Sequence, residues 1–239
     1  MPLTAFSRKL ESISFLSEED KAALAAVPLQ IVELRADQDV VREGDRTSRC
    51  CILVDGFACT FKLTGEGKRQ ILAFHVAGDL PDLQSLHLRL LDSSIGTIAP
   101  STVAFVRHED LFDLCVRRPG ITSLLWRSTL IDAAIFREWV TNVGQRAAYS
   151  RVSHFFCEIA TRLEVIGRTD GRTFDFPITQ SELGDANGLS VVHINRVLKK
   201  LRNQGVIVQN GTKLTILDWD RLRSAGDFDP AYLHLSREA

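Results

Sequence analysis

The segment between Thr179 and Gly205 constrains the fold more than any other part of the chain. Thr179 stands three residues before Glu182, the capping-box spacing in which each side chain satisfies a free backbone amide at a helix start. Gly188 then marks a sharp turn, and Ser190 is a suitable N-cap for a further helix that Gly205 ends. Two helices joined by a short glycine turn form a helix-turn-helix.

A tight hairpin is predicted directly after the second helix. The strand-like runs VIVQ and TKLTIL flank Asn210-Gly211, and Asn-Gly is the pair that accepts the positive φ angles of a type I′ turn. A hairpin in this position is the wing of a winged helix. Capping box, glycine turn, basic helix and hairpin in this order are far more specific than any one of them.

The second helix of this motif has two chemically different faces. One apolar stripe is expected to pack against the domain, and it consists of Val191, Ile194, Val197, Leu198 and Leu201. The opposite face is polar and basic, with Val192, Arg196, Lys199 and Asn203, flanked by His193, Asn195 and Lys200. No acidic residue occurs between Ser190 and Asn203. Such a face is either a solvated helix surface or a nucleic-acid contact.

The side chains on this face suit the reading of DNA. Residues near the start of such a helix reach base edges, and lysines further along neutralise phosphates. Arginine pairs with guanine, asparagine pairs with adenine, and valine contacts a thymine methyl. We therefore assign base reading to Val192, His193, Asn195 and Arg196 and phosphate contact to Lys199, Lys200, Arg202 and, in the wing, Lys213. The capping residues Thr179 and Ser190 complete the set of candidate DNA-binding residues.

The first half of the chain has a different pattern. After a short helical N-terminus up to about Val27, brief apolar or alternating runs between Leu29 and Val106 are broken by glycine turns. Many short strands with glycine turns predict a barrel or a sandwich.

A long helix is predicted from about Gly120 to Val143, where neither glycine nor proline interrupts the run. Its apolar residues spread nearly all round the helix axis, so it must be covered on more than one side. The cover is either the chain's own domain on every side or, on one side, a partner chain. A second helix follows from about Ala147 to Ile166.

Composition places the chain among folded globular proteins. It has 239 residues, of which 45% are hydrophobic and 25% are charged. Residues 1–146 carry 17 Lys and Arg against 19 Asp and Glu, whereas residues 147–223 carry 11 against 8, so the basic excess lies late in the chain. No apolar run approaches a membrane span, and the N-terminus is too charged for a signal peptide, so the expected location is the cytoplasm.

The sequence ITQSELGDANGLSVVHINRVLKKLRNQGVI resembles the helix-turn-helix of the Crp/Fnr family of bacterial transcription regulators, and the resemblance runs from the first strands through the wing. Arg196 matches the family's recurrent recognition-helix arginine. Where several members carry a base-reading Arg and Glu, this chain has Val191 and Val192, so the operator that those members prefer is not expected. The resemblance implies a homodimer joined through the long helix.

The N-terminal half is similar to the family's cyclic-nucleotide-binding barrel in its turn residues, namely Gly44, Gly56 and Gly78 with Asp45 and Asp79. Nucleotide-binding members clamp the phosphate with an Arg-Ser or Arg-Thr pair. Here the matching stretch LLDSSIGTIAPST has Ser93 and Ser94, and the earlier Arg89 lacks a following hydroxyl. We therefore expect weak or absent cyclic-AMP binding.

Other cofactors of the family are also not expected. The oxygen-sensing branch holds an iron-sulfur cluster through clustered N-terminal cysteines, and no cysteine precedes Cys50 here. Because Cys50 and Cys51 are neighbours on a strand, they should point to opposite faces, one into the core and one to the surface. Haem ligation is a weaker alternative for the isolated histidines His75, His87 and His108.

Together these inferences predict an α+β chain. An N-terminal helix and a double-stranded β-barrel of the cyclic-nucleotide-binding type occupy residues 1–119, a dimerisation helix 120–146, a winged helix-turn-helix 147–223 and a tail 224–239. The predicted function is DNA-binding transcription regulation at a roughly palindromic site. The alternative is a small-molecule-binding barrel whose C-terminal module mediates protein–protein contacts.

The expected partners are double-stranded DNA and a second copy of the chain. RNA polymerase and an unidentified small-molecule effector are further candidates, and neither a membrane nor a cofactor is expected. An enzyme is not predicted, because the chain has no phosphate-binding G-x-x-x-x-G-K-[ST], no G-x-S-x-G nucleophile elbow and no H-E-x-x-H metal motif.

Overall fold

The computed structural model describes residues 3–88 and 90–236, and the chain divides into two compact units. The first unit contains the described parts of Met1–Lys62, Ala73–Ala133 and His234–Ala239. The second unit contains Leu63–Leu72 and Ala134–Leu233.

The first unit begins with helices α1 (Thr4–Ile13) and α2 (Glu18–Ala25). The strands that follow are β1 (Gln30–Leu34), β2 (Asp39–Val41), β3 (Arg49–Asp55), β4 (Phe57–Leu63), β5 (Arg69–Val76), β6 (Ser94–Thr97) and β7 (Ser101–Arg107). A 3₁₀ turn (Leu83–Leu86) lies between β5 and β6, and helix α3 (His108–Arg117) follows β7. Strands β4 and β5 form a hairpin whose tip groups with the second unit.

The described strands of this unit form two sheets rather than one closed barrel. One sheet has the order β1-β7-β3 and the other the order β2-β6-β4-β5, with antiparallel pairs as in a jelly roll. Apolar side chains from both sheets meet in one core, which includes Val41, Leu53, Ala58, Ile95, Val103 and Phe105. Gly78, at φ +90°, is required where the chain passes α1, because a Cβ there would lie 2.6 Å from the carbonyl oxygen of Ala5.

The expectation that one of the two neighbouring cysteines reaches the surface is wrong. Cys50 and Cys51 do alternate along β3, but both are buried. Cys51 contributes to the core between the sheets, whereas the Cys50 thiol packs against the 3₁₀ turn, where its Sγ lies 3.4 Å from Ser85 Oγ. The second face of β3 is therefore covered as well, and burial raises the pKa of the Cys50 thiol to about 12.

The long helix α4 (Pro119–Gln145) runs from the first unit into the second. The second unit continues with α5 (Ala148–Val165), β8 (Thr173–Asp175), α6 (Gln180–Asn187), α7 (Val191–Asn203), β9 (Ile207–Asn210), β10 (Lys213–Ile216), α8 (Trp219–Gly226) and a 3₁₀ turn (Pro230–Leu233). Its three-stranded sheet has the order β8-β10-β9.

A buried carboxylate joins three segments of the second unit. Glu158 on α5 is fully buried and accepts hydrogen bonds from Trp139 Nε1 on α4, at 3.0 and 3.2 Å, and from the Tyr232 hydroxyl at 2.9 Å. Arg162 Nη1 adds a third donor at 3.3 Å. A buried charge with this many donors is fixed in place, so α4, α5 and the final 3₁₀ turn are held together.

Helix α4 confirms the predicted long helix and its all-round apolar pattern. Ile121, Leu125, Ile131 and Ile135 are buried. The apolar side chains that remain exposed in the single chain are Trp126, Leu130, Phe136, Val140 and Val143. Within residues 3–88 and 90–236, no helix is both long enough and apolar enough to cross a membrane.

Candidate nucleic-acid interface

Helix α6 begins with the predicted capping box. The Thr179 hydroxyl accepts a hydrogen bond from the Glu182 backbone amide at 3.2 Å, and Glu182 Oε2 accepts one from the Thr179 amide at 2.7 Å. The Thr179 hydroxyl also donates to Glu182 Oε2 at 2.8 Å. These reciprocal bonds fix the first turn of α6.

The turn between α6 and α7 depends on two glycines. Gly188 has φ +62°, the left-handed conformation that a non-glycine residue rarely adopts. A Cβ at Gly184 would lie 2.5 Å from the Leu189 carbonyl oxygen, so only glycine allows the chain to cross α6 this closely. Ser190 then caps α7 by accepting a hydrogen bond from the His193 amide at 3.3 Å.

Helix α7 presents the two faces that its sequence predicts, with one exception. Ile194, Val197, Leu198 and Leu201 are buried, and the residues assigned to base reading are all exposed, namely Val192, His193, Asn195 and Arg196. Val191 was expected to pack with the buried stripe, yet it is 48% exposed. Val191 is the first residue of α7 and lies at the edge of the stripe, so α7 begins with two exposed valines.

The residues assigned to phosphate contact lie in different surroundings. Lys199 and Arg202 are exposed on α7. Lys200 Nζ lies 4.4 Å above the ring of Tyr149 on α5, so its ammonium group makes a cation–π contact. In the wing, Lys213 Nζ forms an exposed ion pair with Asp175 at 2.9 Å. Lys200 and Lys213 therefore already have partners within the second unit.

The hairpin is confirmed, but its turn is one residue later than Asn210-Gly211. Asn210 pairs with Lys213, so Gly211 and Thr212 are the two loop residues. Gly211 has φ +60°, and Asn210 does not have a positive φ. A type I′ turn needs positive φ at both central residues, whereas glycine at the first central position alone is typical of type II′. Asn210 is the last residue of β9 and pairs with Lys213 of β10, so it belongs to the strand and the turn begins at Gly211.

One contact at this surface was not predicted from the sequence. Asn195 Nδ2 on α7 donates a hydrogen bond to Gln180 Oε1, at the first position of α6, at a distance of 3.2 Å. The two residues are 15 positions apart, and no short-range spacing signals their contact.

The chain contains both domains that characterise one family of regulators. A Crp-like helix-turn-helix domain matches residues 150–225, and a cyclic nucleotide-binding domain matches residues 31–118. This chain belongs to the Crp/Fnr family. Among related sequences, the transcriptional activator protein FnrA of Stutzerimonas stutzeri is 23% identical over 203 residues, which cover 85% of this chain and 83% of FnrA. The transcriptional activator protein FnrL of Cereibacter sphaeroides is 27% identical over 81% of this chain and 79% of its own length.

Two solved structures have the same fold. FixK2 of Bradyrhizobium japonicum superposes with a TM-score of 0.76 at 22% identity, covering 83% of this chain and 98% of FixK2. A CRP-family transcriptional regulator of Thermus thermophilus superposes with a TM-score of 0.62 at 14% identity, covering 82% of this chain and 97% of that regulator. Like other members of the family, this chain is a DNA-binding transcription regulator.

Two serines stand in this structure where the sequence resemblance placed the phosphate-clamping pair. Ser94 Oγ accepts a hydrogen bond from the Glu43 amide at 3.0 Å, and Ser93 is buried. Asp79 is buried and paired with Lys9 of α1 at 2.7 Å. Arg89 lies outside the described residues.

The three histidines considered for haem ligation have ordinary partners. His75 Nε2 lies 2.7 Å from the Thr60 hydroxyl, and His108 Nε2 lies 3.0 Å from the Ser85 hydroxyl. His87 makes an edge contact with the ring of Phe112 at a centroid distance of 5.8 Å. Within the described parts of the chain, no group of three or more His, Cys, Asp or Glu side chains is placed to hold a metal ion.

Proposed function

We propose that the chain regulates transcription as a homodimer that places one copy of α7 in each half of a roughly palindromic site. The exposed apolar side chains of α4 carry this proposal, because Trp126 and Val140 are 68% and 74% exposed on a helix whose other side is buried. Leu130, Phe136 and Val143 extend the same exposed set. A second α4 would remove these side chains from water.

Base contacts are assigned to the exposed residues of the first two turns of α7. Arg196 suits guanine, Asn195 suits adenine, and Val192 suits a thymine methyl, with His193 beside them. Lys199, Lys200 and Arg202 on α7 and Lys213 in the wing are the proposed phosphate contacts, and the capping residues Thr179 and Ser190 complete the proposed set. On binding DNA, Lys213 would exchange its ion pair with Asp175 for a phosphate contact. That ion pair is exposed and contributes little stability, so its loss costs little free energy.

The effector, in this proposal, is not cyclic AMP. The core between the two sheets is lined by apolar side chains, and the Asp79 carboxylate is already paired with Lys9. No arginine stands at Ser93 or Ser94 to clamp a phosphate. We propose that residues 1–119 form an effector-type domain, 120–146 the dimerisation helix and 147–223 the DNA-binding domain, followed by a tail. We further propose that this non-enzymatic regulator works in the cytoplasm, with RNA polymerase as a second macromolecular partner.

Selection from random duplexes combined with mass measurement tests the proposal. The full chain, passed over a library of randomised duplexes, should enrich an inverted repeat, and sedimentation should show two protein copies per selected duplex. Enrichment of no sequence, or binding of one copy to a single non-repeated site, would contradict the proposed mode of action.

A further inference from the structure

The contact between Gln180 and Asn195 places a residue of the first helix of the motif beside a base-reading residue of the second. Asn195 Nδ2 donates to Gln180 Oε1 at 3.2 Å, and Asn195 itself is exposed. Most side-chain hydrogen bonds in proteins go to backbone or water, so a bond between the side chains of two different helices on an open surface is uncommon.

The donor and acceptor count of the asparagine amide determines what remains free for DNA. An asparagine amide has two N–H donors and one carbonyl acceptor. The bond to Gln180 uses one N–H, which leaves one N–H and Oδ1. These two groups are the pair that matches the N7 acceptor and the N6 donor of adenine in the major groove. The bond to Gln180 therefore leaves one N–H donor and the Oδ1 acceptor of Asn195 available to a base.

Gln180 is held on a rigid support. It is the first residue of α6, directly after the capping residue Thr179, and its neighbour Glu182 is buried. Gly184 keeps α6 close to the turn that leads into α7. A reading side chain that is already oriented loses less conformational freedom when it binds DNA than a free one does.

We propose that Gln180 is a positioning residue that fixes the Asn195 amide for adenine, so that each half-site contains one adenine whose recognition depends on both residues. This inference rests on the proposed binding mode of α7. It differs from a phosphate contact by Gln180, which would strengthen binding to every sequence alike.

Single-atom changes in the DNA test the inference. In the site selected by the full chain, each adenine is replaced in turn by 7-deazaadenine, which keeps base pairing but lacks the N7 acceptor. One adenine per half-site should be sensitive, with affinity falling about fivefold or more for the native protein. Asn195→Ala should remove this sensitivity. If every adenine tolerates the replacement, Asn195 does not read adenine and the inference is wrong.

Two variants of Gln180 separate positioning from affinity. Gln180→Ala should reduce the 7-deazaadenine penalty to less than half while binding to unselected duplexes stays within about twofold. Gln180→Glu keeps an acceptor for Asn195 Nδ2, so it should retain the penalty, although its negative charge weakens binding to all duplexes. Gln84→Ala, on the 3₁₀ turn of the first unit, is the control and should change neither quantity. Unaltered melting temperatures would show that all variants fold.

The outcomes distinguish this inference from the function on which it rests. If Gln180→Ala weakens every duplex equally and keeps the full penalty, Gln180 contacts the DNA backbone and the positioning role is overturned. If the native chain selects no duplex at all, the proposed binding mode fails first, and the inference fails with it.

Discussion

Helix α7 and the first unit differ in how far their polar side chains are exposed to solvent. On α7, Asn195 and Arg196 are exposed at the proposed DNA-binding surface. In the first unit, the carboxylates of Asp79 and Asp82 and the thiol of Cys50 are buried and engaged with the protein itself. The polar side chains of α7 therefore remain accessible to a binding partner, whereas these groups of the first unit are enclosed by the protein.

The largest effect is expected on the exposed side of α4, which must become an interface if α7 acts in pairs. The double variant Leu130→Glu with Val140→Glu places charges in that interface, so the protein should become monomeric. Loss of the second recognition helix should weaken specific DNA binding by about 100-fold or more. Sedimentation and equilibrium binding measure the two changes.

Val116→Glu on α3 is the matched control, since Val116 is also an exposed valine and lies outside α4. It should change neither mass nor affinity. A double variant that stays dimeric would remove the physical basis for pairing α7 across a palindrome.

The buried acid of the first unit gives the next largest effect. Burial raises the pKa of Asp82 to about 6 from an ordinary value of 3.8, and its Oδ2 has no hydrogen-bond partner among the described residues. Folding therefore favours the protonated acid, and the stability that it contributes below pH 3.8 is lost as the pH rises through 6. The loss of folding free energy between about pH 4 and about pH 8 is about 2 kcal/mol by linkage.

Asp82→Asn tests this linkage, because the asparagine side chain does not titrate. In the native chain, Asp82 Oδ1 accepts a hydrogen bond from the Cys51 backbone N–H at 2.8 Å, and the asparagine keeps an oxygen for this bond. Denaturant unfolding across this pH range should show a shallower pH dependence for the variant than for the native chain. Identical pH dependence in the two proteins would mean that Asp82 is not the buried titrating group.

A smaller effect is expected from removing single side chains at the open surface of α7. Arg196→Ala should lose about 1–3 kcal/mol of binding free energy and relax the preference at one base pair. Lys199→Ala should weaken all duplexes similarly and reduce the slope of log affinity against log salt by about 1. Titrations at several salt concentrations separate the two roles. Unchanged base preference in Arg196→Ala would show that Arg196 does not read a base.

The smallest effect concerns the capping box that supports this surface. Thr179→Ala removes the hydroxyl oxygen that accepts a hydrogen bond from the Glu182 backbone amide, so the second unit should lose about 1 kcal/mol of its free energy of unfolding. Thr179→Ser keeps the hydroxyl and should lose much less. Equal stability of the alanine and serine variants would indicate that the capping hydrogen bond contributes nothing.

The contrast between the two regions also explains which features the sequence could predict. The capping box of Thr179 and Glu182, the turn at Gly188 and the stripe that contains Leu201 all follow from spacings of a few residues. Local chemistry alone determines these features, and the structure confirms them.

The missed features depend on what packs from a distance. One of Cys50 and Cys51 was expected at the surface because no local pattern reveals that the 3₁₀ turn covers the second face of β3. The turn of the wing lies one residue later than predicted, because the pairing of Asn210 with Lys213, and not the Asn-Gly pair, sets the register of the hairpin. Gln180 was overlooked because its contact with Asn195 exists only once α6 and α7 cross.

Hydroxyl-radical footprinting of the selected duplex tests most directly whether two copies of α7 bind one site. If two copies bind, two equivalent half-sites should be protected, with centres about 34–36 Å apart, or roughly one helical turn. Arg196→Ala should weaken the protection of both half-sites equally. A single protected region, or protection that Arg196→Ala leaves unchanged, would contradict paired binding by α7.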